Sequence, residues 1–152
     1  GGADRSVAVF KPAEGKTVQL FDDHGGRVLG IAWRGDGRQL ASVGADSQCR
    51  FWNAGDAWER GETIAVGGRE SVGIHRLGQG DAFAVAEGDG TLQARALGKP
   101  EKLPKFGGKV VRSQCLATDP AGSVIAVGGA DGSLTIWPGT GGQPRVLADP
   151  GP

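Results

Sequence analysis

Short runs of alternating apolar and polar residues recur along the chain, and each run ends in a turn rich in glycine and aspartate. The runs 48–52, 91–95 and 133–137 alternate, and two largely apolar runs, 28–33 and 39–43, precede the first of them. Runs of this length and period, separated by tight turns, are typical of antiparallel strands that pair in sequence order. A fourth run at 62–66 completes a predicted four-stranded meander.

The turn that follows the second strand is repeated along the chain. It reads Gly-Gly-Ala-Asp at 1–4, Val-Gly-Ala-Asp at 43–46, Ala-Glu-Gly-Asp at 86–89 and Gly-Gly-Ala-Asp at 128–131. The aspartates Asp4, Asp46, Asp89 and Asp131 are 42, 43 and 42 residues apart. A fixed period of about 40–45 residues built from short strands is the signature of a β-propeller, in which each repeat is one blade.

The remaining runs follow the same plan. The sequence predicts strands at 71–77, 82–86, 91–97 and 101–106, and again at 111–118, 124–128, 133–137 and 144–148. The chain opens with runs at 6–10 and 17–21, which correspond to the third and fourth strands of a blade. We therefore predict an all-β partial propeller in which 1–152 is one segment, with two outer strands in 1–21 and blades in 22–66, 67–106 and 107–149.

The stretch from Asp22 to Asn53, with Gly-Ala-Asp-Ser-Gln-Cys-Arg-Phe-Trp at its end, resembles a blade of the WD-repeat β-propeller family. The resemblance covers essentially the whole chain, about three and a half blades. In that family a His before the first strand, a Ser or Thr on the second, an Asp in the next turn and a Trp on the third form a hydrogen-bonded tetrad. The resemblance implies this role for His24, Ser42, Asp46 and Trp52.

The other repeats depart from the family pattern. In the last blade Lys109 and Val127 stand where the His and the Ser belong, and only Asp131 and Trp137 remain. The middle blade keeps Asp89 alone, and Phe10 takes the Trp position of the first. Such degenerate repeats are ordinary in bacterial members of the family.

The predicted strands do not add up to a closed ring, because they number 14 and the opening blade lacks its two inner strands. Closed propellers need complete blades of about four strands each. Two copies would lack the same inner pair at both junctions, so a simple homodimer does not complete the ring. We therefore expect the chain to be part of a larger propeller, whose missing strands come from preceding chain or from a partner.

Composition excludes several classes of function. The 17 basic and 17 acidic side chains cancel, so the sequence shows no electrostatic footprint for nucleic acid. No apolar run approaches the roughly 20 residues of a membrane span. The first residues lack the features of a signal peptide, and methionine is absent even from position 1, so we expect processing or truncation. For the compartment we favour the cytoplasm, with the periplasm as the alternative.

Two interpretations compete for the residues that bear chemistry. His24, Ser42 and Asp46 offer a base, a nucleophile and an orienting carboxylate, whereas the tetrad implied by the resemblance gives them a structural role. We favour the structural role, because buried polar atoms must satisfy one another. His75 has no second ligand at metal spacing, and no haem-attachment motif is present, so we predict no catalytic residues, metal or cofactor.

A candidate partner site follows from register. Arg27, Glu70 and Arg112 occupy equivalent places just before each first strand, which in this architecture is the rim of the central channel. They form either a protein-binding rim or an ordinary solvated edge. Trp58 lies in a polar loop and either anchors a partner or covers the edge of its own blade.

The sequence thus predicts a non-enzymatic scaffold that binds one or more proteins, with no nucleic acid and no membrane insertion. The alternative is a propeller domain of a longer bacterial chain that carries a catalytic or haem domain elsewhere. A fold by itself does not decide between these functions.

Overall fold

A computed structural model describes residues 1–66, 70–78, 80–96 and 103–148 of the chain. Within these ranges 13 strands form four antiparallel sheets, each with its strands in sequence order, which confirms the predicted fold class. The first sheet contains β1 (Val7–Lys11) and β2 (Lys16–Phe21). The second sheet contains β3 (Val28–Trp33), β4 (Gln39–Gly44), β5 (Gln48–Ala54) and β6 (Trp58–Ala65).

The third and fourth sheets follow the same plan. The third sheet contains β7 (Ser71–Arg76), β8 (Ala82–Glu87) and β9 (Leu92–Ala96). The fourth sheet contains β10 (Ser113–Thr118), β11 (Val124–Gly129), β12 (Leu134–Pro138) and β13 (Arg145–Ala148). The described residues include no helix of the length and hydropathy that a membrane crossing requires.

The first strands of consecutive sheets lie side by side, so that β3, β7 and β10 line a groove of about 210 Å³. Glycine allows this close approach, because a Cβ at Gly30 would lie 2.9 Å from the backbone nitrogen of Ile74. Each of the three first strands carries a bulge at its second residue. The second, third and fourth sheets therefore present their inner edges in the same register to a common axis.

Each of the three buried apolar clusters found among the described residues lies between two consecutive sheets, and none belongs to a single sheet. Between the second and third sheets, Phe51 packs against Phe83 with ring centroids 5.8 Å apart. Between the third and fourth sheets, small residues face large ones: Ala84, Ala86 and Ala94 lie against Ile125, Val127 and Trp137. Burial of these faces, at roughly 25 cal/mol per Å², is what joins the sheets.

The structure corrects the predicted fourth strand at 101–106. Residues 101 and 102 lie outside the described residues, and 103–105 form no strand. Phe106 instead makes a parallel bridge to Gly142, and the Gly107 N–H donates to the Gly142 carbonyl at 2.8 Å. Phe106 packs on the apolar cluster that the third and fourth sheets share.

Trp58 also lies elsewhere than predicted. It begins β6 and pairs with Ala54, rather than lying in a polar loop. The loop contains only the three residues Gly55, Asp56 and Ala57, and β6 is accordingly longer than the predicted run at 62–66.

Candidate functional site

The four residues of the predicted tetrad meet in the second sheet. The Trp52 Nε1–H donates to Ser42 Oγ at 3.0 Å, and Ser42 Oγ lies 2.7 Å from His24 Nε2. His24 Nδ1 lies 3.0 and 3.1 Å from the two carboxylate oxygens of Asp46. The network joins the segment before β3, strand β4, the following turn and strand β5.

The geometry assigns the protons of this network. Because Ser42 Oγ accepts from Trp52, its own proton is free to point at His24 Nε2, and His24 then carries its proton on Nδ1 and donates it to Asp46. Burial lowers the pKa of His24 below its ordinary 6.5, although the bond to Asp46 opposes this shift. The neutral imidazole is therefore the form that suits the network.

The Asp46 carboxylate is hydrogen-bonded to several groups of the site. Burial of its carboxyl opposes ionisation, but the Gly25 N–H at 2.9 Å and the His24 bond outweigh it, so that the pKa of Asp46 lies below its ordinary 3.8. The Gln48 N–H also donates to this carboxylate, at 3.3 Å. A carboxylate with several donors remains ionised inside the sheet at neutral pH.

Arg50 extends the tetrad, and the sequence analysis missed it. Its guanidinium lies 3.1 Å from Asp46 Oδ2 and donates to Thr63 Oγ1 at 3.3 Å, while the residue is only 8% exposed. Ser42, Arg50 and Thr63 are cross-strand neighbours on β4, β5 and β6. The only signal in the sequence was a charged residue between Cys49 and Phe51, two apolar residues of the same strand.

This arrangement does not support nucleophilic catalysis. Ser42 is fully buried, so no substrate reaches its oxygen, and that oxygen already accepts from Trp52. An activated serine needs access and an adjacent oxyanion site. Across the described part of the chain, no cluster of three or more His, Cys, Asp or Glu residues is arranged to hold a metal ion.

We expect the free energy of unfolding to fall as the pH drops below about 6.5, the ordinary pKa of histidine. Burial lowers the pKa of His24 in the folded chain. Below pH 6.5 the unfolded chain therefore binds more protons at this residue than the folded chain does. The contribution is complete above 6.5 and is lost progressively toward the lower folded pKa. His75 acts with the same sign, since burial lowers its pKa too.

Urea unfolding at about pH 7.5 and about pH 5.5 checks this dependence. His24→Gln should lose less stability between the two conditions than the wild type, and His75→Gln measures the second contribution. If the wild type and a variant with both substitutions lose the same free energy of unfolding between the two pH values, the two histidines do not cause the pH dependence.

The rim residues lie where the register places them, each directly before a first strand. Arg27 and Glu70 form an ion pair between the second and third sheets, with Nη2 2.6 Å from Oε1. Both side chains are exposed, so the pair contributes at most about 1 kcal/mol. We call the end of the sheets that carries Arg27, Glu70 and Arg112 the rim face.

Arg112 differs from its two counterparts. It is exposed, and its φ of 46° lies in the left-handed region that non-glycine residues seldom adopt. Both its carbonyl and that of Val111 accept from the Ala130 N–H, at 3.0 Å each. Within the described residues no carboxylate forms an ion pair with Arg112.

Trp58 does not belong to the rim face. It begins β6 at the opposite end of the second sheet, beside the end of β3. Its ring makes edge contacts with Phe21 at 5.8 Å and with Trp33 at 5.7 Å. Trp58 therefore packs on the apolar cluster between the first and second sheets, and its role toward a partner stays a prediction.

In the degenerate repeats, residues at the tetrad positions contact other groups than those in the second sheet. Lys109 lies 3.4 Å from Asp89 of the preceding sheet, although its place in the repeat corresponds to that of His24. The Trp137 Nε1–H donates to the Gly107 carbonyl at 2.8 Å. Only the second sheet, of those described, contains a complete tetrad.

Comparisons with known proteins agree with this geometry. The family model of the WD domain, G-beta repeat, matches residues 15–53 and 105–138. Actin-interacting protein 1 of Drosophila melanogaster is 26% identical over 151 residues, which are 95% of this chain and 24% of that protein. A solved structure of U3-55K shares the fold with a TM-score of 0.77 at 21% identity, over 95% of this chain and 43% of that one.

The chain therefore spans about a quarter of the length of the curated relative that it matches. The matched repeats, the periodic turns and the radial order of the sheets support one assignment. The chain carries WD repeats at residues 15–53 and 105–138, within consecutive antiparallel sheets of a β-propeller fold.

Proposed function

We propose that this chain is an arc of a larger WD-repeat propeller that acts as a non-catalytic scaffold and binds a partner protein at its rim face. WD-repeat proteins act as protein-interaction scaffolds. The sheets supply a rigid frame, and the segments that enter each first strand supply the recognition.

One observation carries the rim proposal: Arg112 is an exposed cation, held in a strained backbone conformation, with no ion-pair partner in the described chain. Strained residues persist where the surrounding structure fixes them, and such positions concentrate at functional sites. Arg27 is already neutralised by Glu70. We therefore expect an acidic group of the partner to pair with Arg112 rather than with Arg27.

Arg112→Glu is expected to weaken partner binding at least about tenfold, which corresponds to about 1.4 kcal/mol, and to leave the melting temperature little changed. The matched control is Arg38→Glu, an equal charge reversal in the β3–β4 turn at the opposite end of the second sheet. Capture from a lysate of the source, followed by affinity measurement on the captured protein, supplies the readout. Equal affinity of both variants would reject the rim face.

Actin is the first defined protein to test, because the name of the fruit-fly relative says that it interacts with actin. Co-sedimentation with actin filaments, using the wild type, Arg112→Glu and Arg38→Glu, answers this directly. Loss of sedimentation in Arg112→Glu alone would identify both the partner and the face.

The two end faces support the larger propeller. Phe10 occupies the position of Trp52 and Trp137 in the repeat, yet it is 60% exposed, whereas those two are buried. On the fourth sheet, Val124 and Leu134 are exposed on the face that would meet a following sheet. Further blades, covering both faces, would bury these side chains.

An optical spectrum of the natural protein without a haem band would support the non-catalytic proposal.

A further inference from the structure

The third sheet ends at β9, and within the described residues no strand pairs with the edge of β9 that points away from β8. In the second and fourth sheets, β6 and β13 cover the equivalent edges of β5 and β12. An uncovered edge presents a row of backbone N–H and C=O groups, which can pair with a strand from another chain. The third sheet therefore offers a place for one more strand.

The segment 103–106 lies beside this edge without pairing to it, because its backbone is bonded to the fourth sheet. The Gly142 N–H, between β12 and β13, donates to the Lys105 carbonyl at 2.8 Å. The Gly107 N–H donates to the Gly142 carbonyl at the same distance. Pro104 has no N–H to give to a neighbouring strand. These features keep the segment apart from β9.

A groove of about 690 Å³ separates β9 from the segment 103–106, and we call it the outer groove. Both of its walls rest on the apolar cluster between the third and fourth sheets. Leu92 and Ala94 of β9 are buried in that cluster, and Leu103 and Phe106 of the facing wall pack against it. Because the two walls share one core, the outer groove is part of the packed fold.

The outer groove is positively charged. Its described lining includes the cations Arg95 and Lys105 and no Asp or Glu. Neither cation forms an ion pair within the described part of the chain. The basic residues cluster here in sequence as well. The stretch 95–112 has basic residues at 95, 99, 102, 105, 109 and 112 and an acidic residue only at 101, although the whole chain is neutral.

The hydrogen-bonding capacity of Arg95 is only partly used. Its Nη1 donates to the carbonyl of the preceding residue, Ala94, at 3.2 Å. Its Nε is buried, and no described residue accepts from it. A buried donor without an acceptor is costly, and bonds from a guanidinium to a carboxylate are among the strongest in proteins. A carboxylate brought into the outer groove would therefore be favoured beside Arg95.

The two faces of β9 determine which side chains an added strand needs. Leu92 and Ala94 point to the apolar cluster, whereas Gln93 and Arg95 alternate with them along the strand and point to the other face. Side chains at opposed positions of paired strands lie on the same face. An added strand therefore needs apolar side chains on the face of Leu92 and carboxylates on the face of Arg95.

We propose that the outer groove binds an extended acidic segment of a partner protein, which pairs with β9 as an antiparallel strand and alternates apolar and acidic side chains. Backbone hydrogen bonds to β9 supply affinity, and Arg95 and Lys105 select the acidic sequence. Nucleic acid is also negatively charged, but it has no peptide groups to extend the sheet. The proposal goes beyond the rim proposal, because this site lies at the outer edge of the third sheet.

The first experiment measures fluorescence anisotropy of the labelled peptide Val-Glu-Val-Glu-Val-Glu-Val with the full natural chain. We expect a dissociation constant below about 1 mM. A block peptide of the same composition, Val-Val-Val-Val-Glu-Glu-Glu, should bind at least about tenfold more weakly, and the counterpart with Lys in place of Glu should not bind. Absence of binding by the alternating peptide, or equal binding of all three peptides, would overturn the proposal.

Charge variants locate the peptide on the protein. Lys105→Glu and Arg95→Ala should each weaken binding of the alternating peptide about tenfold. Lys105 is exposed, so its reversal should leave the melting temperature unchanged. The matched control is Lys16→Glu, at an exposed residue of β2. Equal affinity of Lys105→Glu and Lys16→Glu would contradict the assignment. Arg112→Glu should bind the peptide normally, which separates this test from that of the rim face.

Backbone chemistry distinguishes strand addition from attraction of charge alone. A peptide methylated at every backbone nitrogen keeps its carboxylates but cannot donate to β9, so we expect it not to bind. Hydrogen exchange at the β9 amides that point away from β8 should slow when the unmethylated peptide is added. If the methylated peptide or a single-stranded thymidine oligonucleotide binds as tightly as the alternating peptide, the outer groove is only an anion site and the proposal fails.

Discussion

Trp52→Ala is expected to lower the free energy of unfolding by about 3–5 kcal/mol, the range for truncating a buried large aromatic side chain. Trp52 is fully buried and stacks on Phe21 with ring centroids 4.1 Å apart, so its removal opens a cavity between the first and second sheets. It also removes the donor to Ser42. Urea unfolding followed by far-ultraviolet circular dichroism measures the loss.

Trp52→Phe separates packing from hydrogen bonding at this position. It retains an aromatic ring on Phe21 but removes the indole N–H, and should cost about 1 kcal/mol for the hydrogen bond, plus a smaller cavity term. If the two variants lose equal stability, the stacking contact contributes nothing, and the packing argument for Trp52 fails.

Asp46→Ala is expected to cost about 3–5 kcal/mol, the range for removing one partner of a buried ion pair. The substitution leaves the guanidinium of the buried Arg50 without its carboxylate. It also deprives His24 and the Gly25 N–H of their acceptor. Asp46→Asn keeps the shape and should lose less. Chemical denaturation at neutral pH gives the three free energies.

Asp131→Ala is the matched control, because Asp131 holds the same turn position in the fourth sheet. Among the described residues its carboxylate bonds only to the local Ser133, through the N–H at 3.0 Å and through the side chain, and it is exposed. We expect a much smaller loss than for Asp46→Ala. Equal losses at the two positions would show that the turn, and not the buried network, sets the cost.

The fold followed from the sequence where short, largely apolar runs end in turns rich in glycine and aspartate. The runs at 28–33, 39–43 and 48–52 are bounded in this way, and β3, β4 and β5 lie there with bounds that differ by two residues at most. Fourth strands are harder, because an outer strand is largely exposed and loses its alternation. Glu59, Arg60 and Glu62 made β6 resemble a loop, although its pairing begins at Trp58.

The residues of the candidate site were likewise predicted only in part from the sequence. The spacing of His24, Ser42, Asp46 and Trp52 matched a known pattern, and the structure joins these four side chains. The partners of Arg50 come from a turn and from β6, so strand periodicity alone does not reveal them. Lys109 shows a second limit: position in the repeat assigns it to its own sheet, yet its long side chain reaches the sheet before.

The small-against-large contact between the third and fourth sheets bears on how such a chain evolves. Ala84, Ala86 and Ala94 leave room that Trp137 and its neighbours fill, whereas Phe51 meets Phe83 one interface earlier. The repeats share a backbone plan, but the faces that they pack against neighbouring sheets are not interchangeable. Gene duplication or loss of one repeat would bring together two surfaces with unmatched volumes, so a change in repeat number requires compensating substitutions on both neighbours.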